Sequence, residues 1–167
     1  MIRTIADFDR LWHTEMEATQ KIFKHLTTKS LDQEVHTDVR TLGRLAWHIV
    51  TSIPEMGGRT GLTFLAPAPD APVPATAEEI LDAYNVLAIS LLQQVKSDWK
   101  DETLLVEDEM YGEKWARGLT LQILAGHQIH HRAQMTVVMR LLGLSVPGIY
   151  GPAKEEWASF GATPPSV

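Results

Sequence analysis

The 167 residues contain no cysteine and no internal repeat, so the chain reads as one domain spanning 1–167, with a core that needs no disulfide and no possible thiolate nucleophile or cysteine-ligated zinc. A net charge of −6, without any run of Lys or Arg, argues against binding to nucleic-acid phosphates or anionic membranes. No stretch approaches about 18 uncharged apolar residues, and Asp7 falls where a signal peptide would be apolar, so a soluble, cytoplasmic protein is expected.

From Ile5 to Leu26 the apolar residues Ile5, Phe8, Leu11, Trp12, Ile22, Phe23 and Leu26 recur at helical spacing, with Thr4 placed to cap the helix. The same inward stripe carries Glu15 and Thr19. A carboxylate buried there is costly unless a cation or hydrogen-bond donor meets it. After a polar stretch, Thr41 is placed to cap a second helix with Leu42, Leu45, Ile49, Ile53 and Met56 on its apolar face, ended by Pro54 and Gly57-Gly58. His48 sits roughly 110° from the centre of that face, at the margin of the core.

Residues 58–75 form a long connection ending in the proline-rich run 66–74. Prolines favour an extended course, and such a segment reaches on the order of 50 Å, enough to return along a whole helix and set helices two and three parallel. Thr76 and Glu79 form a capping box that opens a third helix, with Ile80, Tyr84, Leu87, Leu91 and Val95 inward to about Trp99. The following segment, 101–118, mixes a β-like run at Thr103–Val106 with Met110-Tyr111-Gly112 and predicts a small hairpin or an irregular excursion.

A fourth helix is expected from Thr120 to Leu142, stopped by Gly143, with a short last helix over Ala153–Phe160. Within it, His127 and His131 lie one turn apart and about 40° apart around the axis, on the side of Leu124, Met135, Val138 and Leu142. Two imidazoles so placed can close on one ion. His130 points roughly 60° to the other side of His127. Four amphipathic segments of this length make an all-α four-helix bundle with long crossover connections.

Two interpretations of the histidines stand at this point. His127 and His131 can be hydrogen-bonded core groups, with His48 structural or exposed. Alternatively, His48 joins them as a third ligand from a neighbouring helix. Three neutral imidazoles with an open position form a catalytic divalent site that accepts zinc, nickel or ferrous iron. His13, His25 and His36 show no partner pattern and belong on the surface. The chain has no Glu-x-x-His, His-Glu-x-x-His or Gly-x-Ser-x-Gly motif and no glycine-rich phosphate loop, which disfavours di-iron, metalloprotease, esterase and nucleotide chemistry.

The stretches Leu45-Ala46-Trp47-His48-Ile49, His127 through Met135, and Val146-Pro147-Gly148-Ile149-Tyr150-Gly151-Pro152 resemble the DinB/YfiT-like family across nearly the whole chain. Ala133 stands where that family usually has glycine. The resemblance implies an up-down-down-up bundle whose metal is held by His48, His127 and His131. It also implies transferase or isomerase chemistry with a low-molecular-weight thiol, acting on a small-molecule substrate. Hydrolysis by metal-activated water, with Glu15 as proton acceptor, and a non-catalytic stress-related scaffold are the alternatives. A homodimer is expected from the resemblance and from surplus aromatic surface at Trp47, Trp115 and Trp157. Glu15 is placed by periodicity alone, either beside the metal centre or in an ion pair with an arginine such as Arg44.

Overall fold

The computed structural model describes residues 2–68 and 70–166; Met1, Pro69 of the proline-rich connection, and Val167 lie outside the described residues. Four helices dominate: α1 (Ile5–Lys24), α2 (Leu42–Gly58), α3 (Ala77–Asp98) and α4 (Arg117–Leu141). Their starts are set by the expected caps. The hydroxyls of Thr4, Thr41 and Thr76 accept from the backbone N–H groups of Asp7, Arg44 and Glu79, and Asp7 and Glu79 return the bond to the capping residue.

Each helix packs on two neighbours, in the ring α1–α3–α2–α4. The directions follow from paired residues. Asp9 meets Lys96, the Trp12 indole donates to the Ala88 carbonyl, and Gln20 meets Asn85, so α1 and α3 run antiparallel. A Cβ on Gly43 would meet Val73 just before α3, and one on Gly57 would meet Leu91, so α2 and α3 are parallel. Near the start of α4, the hydroxyl of Tyr111 reaches Glu55 late in α2, while Leu45 early in α2 lines a cleft with Val138 late in α4, which makes that pair antiparallel. Ile2 lies against Gly118 and Glu15 against Arg132, so α1 and α4 are parallel. The result is an up-down-down-up bundle around Phe8, Trp12, Ile49, Ile53, Tyr84 and Leu91, all fully buried.

Three local details depart from sequence expectation. Thr103–Val106 is not a strand: Asp101–Leu105 form a 3-10 turn that buries Leu104 and leaves Leu105 exposed. The hairpin follows it, pairing β1 (Glu107–Met110) with β2 (Glu113–Ala116) through a Tyr111-Gly112 turn with φ of 53° and 87°. Helix α4 starts at Arg117 rather than Thr120, because Gly118 lets its first turn approach the carbonyl of Ile2. Helix α2 runs through Pro54 to Gly58, with Ile53, Met56 and Gly57 buried on either side of the proline. The connection after α2 covers Trp47, whose indole donates to the Ala71 carbonyl, so this ring is spent inside the chain. No helix among the described residues is long and apolar enough to cross a membrane.

Candidate metal centre

His48 lies mid-way along α2 and faces His127 and His131 across the antiparallel α2–α4 contact. Ring centroids are 4.8 Å apart for His48–His127, 4.6 Å for His48–His131 and 4.4 Å for His127–His131. One nitrogen from each ring lies within 4.8 Å of the others. The Nε2 atoms of His127 and His131 stand 3.1 Å apart. Two zinc–nitrogen bonds of about 2.0–2.1 Å at a tetrahedral angle put their nitrogens about 3.3 Å apart, so this spacing fits two ligands of one ion.

The tautomer of His131 fits too, whereas the buried Nδ1 of His127 has no hydrogen-bond partner among the described residues. His131 Nδ1 lies 2.7 Å from Gln134 Oε1, an amide oxygen that can only accept, so the proton sits on Nδ1 and the Nε2 lone pair faces the cluster. Burial, with the charge of His131 and of nearby Arg40 and Arg44, holds His48 down to about 4. Burial, helped by His131 and His48, holds His127 down to about 4 as well. Burial also lowers His131, against the pull of its bond to Gln134. Burial thus favours the neutral ring at all three histidines, the state a metal ion requires. His130 is exposed and stands outside the three-histidine group. His13, His25 and His36 are exposed and bond locally, to Asp9, the Lys21 carbonyl and Asp38.

The neighbouring stripe of α4 carries a second polar system facing α1. Glu15 is buried, and its Oε2 accepts from Arg132 Nη2 at 2.6 Å and from the Tyr150 hydroxyl at 2.7 Å. Arg132 Nη1 also donates to the Glu15 carbonyl and to Thr19 Oγ1. Gln128 Oε1 accepts from Thr19 and Tyr84. The cation that meets Glu15 is thus Arg132 of α4, not Arg44, and no histidine is among its hydrogen-bond partners. Gln128 and Arg132 each directly follow a histidine of the pair, so α4 turns one face to α2 with His127 and His131 and the next to α1 with Gln128 and Arg132. Arg132, Tyr150 and Gln134 were not singled out from sequence. The i, i+4 pair Gln128/Arg132 on a largely apolar helix, one stripe from the histidines, was the available signal for the first.

Two clefts reach the cluster, one on each side along α2. The first, of about 390 Å³, is lined by His48, Pro54, Glu55, Leu62, Phe64 and Pro67. The second, of about 530 Å³, is lined by Asp38, Arg40, Leu45, His131, Gln134 and Val138.

The sequence matches the DinB family over residues 1–165. The chain belongs to the DinB family. It is 47% identical over 167 residues to the uncharacterized protein YrdA of Bacillus subtilis, with all of both chains covered. A crystal structure of a DinB-like protein from Bacillus cereus superposes with a TM-score of 0.85 at 43% identity, covering 90% of this chain and 100% of that one. The DinB-like protein YjoA of Bacillus subtilis shares the fold, with a TM-score of 0.68 at 15% identity over 88% of this chain and 99% of that one. The DinB fold therefore accounts for the bundle order, and its α2–α4 contact carries a three-histidine group able to hold a metal ion.

Proposed function

We propose that His48, His127 and His131 hold one divalent transition metal, zinc, nickel or ferrous iron, and that the protein transfers a low-molecular-weight thiol to a small electrophilic substrate. The observation that carries this proposal is the meeting of three histidine rings between two clefts. Three protein ligands leave coordination positions open. A divalent ion held by His48, His127 and His131 would lower the pKa of a thiol or water bound to it. The protein's share is positional: Gln134 orients His131, and burial favours the unprotonated rings. Two clefts allow two reactants to approach from opposite sides, which favours transfer over hydrolysis, where a single bound substrate suffices. The ion pair of Glu15 with Arg132 supports a role in fixing α4 over one as proton acceptor.

Metal analysis of the purified protein, followed by a screen of small thiols and electrophiles on loaded and chelator-stripped samples, tests the proposal. One ion per chain and transfer only when loaded are expected. Failure to take up metal overturns it, and turnover that proceeds without added thiol replaces it with hydrolysis. Pairing of two chains is part of the proposal, with the partly exposed Trp115 and Trp157 available for it. A single sedimenting species of 18.7 kDa across the micromolar range would exclude the dimer.

A further inference from the structure

The cleft beside His48 has an apolar body and one charged wall. Pro54, Leu62, Phe64 and Pro67 line it. Its two hydroxyls are already committed to backbone, Thr51 donating to the Trp47 carbonyl at 3.0 Å and Ser52 to the His48 carbonyl at 2.6 Å. Glu55 is the only carboxylate or ammonium-type group in the lining among the described residues.

Glu55 is about half exposed and is held through one oxygen only. Its Oε1 accepts from the Tyr111 hydroxyl at 2.7 Å and has Arg59 Nη2 at 3.8 Å, whereas Oε2 has no hydrogen-bond partner among the described residues. Tyr111 occupies the first position of the hairpin turn at φ 53°, a left-handed conformation that Asn or Gly adopts with less strain. A non-glycine residue kept in such a position points to a task for its side chain. The task here is visible: the phenol grips one oxygen of Glu55, while the ring lies under Arg59 at 4.8 Å and against Trp115 at 5.7 Å.

Position decides what the free oxygen can reach. Glu55 follows His48 by seven residues, two helical turns, so both side chains share one face of α2, about 10 Å apart along the axis. His48 and Glu55 line the same cleft, and no hydrogen bond joins them among the described residues. A molecule lying between them would present one end to the three histidines and the other to Glu55. We infer that this cleft takes a small substrate with an apolar body and a cationic amino group, the amine seated on Oε2 of Glu55 and the reacting end directed to the three-histidine centre. This rests on the assignment of that centre as the reaction site.

The test uses 2-phenylethylamine, 2-phenylethanol and 3-phenylpropionate as probes, with calorimetric or NMR-detected binding to zinc-loaded and metal-free protein. The amine should bind about 10-fold or more tightly than the alcohol in both forms, as expected for a charge-assisted hydrogen bond. Glu55→Gln should erase that preference while leaving the alcohol unaffected. Arg59→Ala, which removes the competing internal cation, should strengthen the amine. Equal binding of amine and alcohol, or an amine preference that survives Glu55→Gln, overturns the inference. Zinc uptake is measured separately on the same samples. Its failure would strike the metal assignment, while the metal-free arm still decides the role of Glu55.

Discussion

Arg132 Nη2 stands 2.6 Å from Glu15 Oε2, with both side chains withdrawn from solvent. A lone carboxylate on the inward stripe of α1 is costly, and so is a lone guanidinium on α4; each is tolerated because the other is there. The pair locks the rotation of α4 against α1, and that rotation turns His127 and His131 toward α2.

Removing one partner strands the other charge. Glu15→Ala should lower unfolding stability by about 3–5 kcal/mol, and the double replacement Glu15→Ala with Arg132→Met should cost clearly less than the two single changes summed. Urea denaturation of the four proteins completes the cycle. Costs that add to within about 0.5 kcal/mol would mean the two groups are not coupled.

Two helical glycines should respond in opposite directions. A Cβ on Gly43 would lie 2.9 Å from the Leu31 carbonyl oxygen, which already accepts from the Gly43 N–H, so Gly43→Ala should destabilise by about 1–3 kcal/mol. A Cβ on Gly126 would meet nothing within 4 Å on an exposed turn of α4, so Gly126→Ala should stabilise by about 0.4–1 kcal/mol. Thermal unfolding of both variants checks the signs.

Most of the bundle was legible because local signals agreed with tertiary packing. Thr4, Thr41 and Thr76 mark helix starts by chemistry that needs no partner helix, and the length of the proline-rich connection allowed the parallel run of α2 and α3 that the structure contains. The misplaced strand at Thr103–Val106 had the opposite cause: its β-branched and apolar residues look alike in sequence, but only Leu104 finds a core to enter. At the site, the His127/His131 spacing is a within-helix property and so was readable. The partner of Glu15 was not, because Arg132 lies 117 positions away and α1 and α4 meet only in the folded bundle. Helical spacing puts Glu55 on the face of His48 and one turn before Arg59, but its contact with Tyr111, 56 positions away, forms only when the hairpin folds onto α2.

If the three histidines are the ligands, their loss should not be interchangeable with loss of the fourth nearby ring. His48→Ala, His127→Ala and His131→Ala should each abolish stoichiometric zinc uptake, while His130→Ala, whose ring is exposed and outside the group, should retain it. Competition titration against a chromophoric chelator measures this. Equal loss in His130→Ala would remove the assignment.

The bond from His131 to Gln134 makes a finer test, because Gln134 touches the ligand and not the ion. Its Oε1 lies 2.7 Å from Nδ1 and fixes both the tautomer and the ring plane of His131. Gln134→Leu keeps side-chain bulk on an exposed part of α4 but leaves Nδ1–H without its acceptor, freeing the ring to turn and weakening its donation. Metal affinity should fall about 10–100-fold, while metal-free stability changes by no more than about 0.5 kcal/mol, as for other surface positions. Gln134→Glu, which restores an acceptor and adds charge, should bring affinity back to at least the original level. An unchanged affinity in Gln134→Leu would show that His131 is oriented by packing alone, and equal losses in the Leu and Glu variants would show that the acceptor is not what matters.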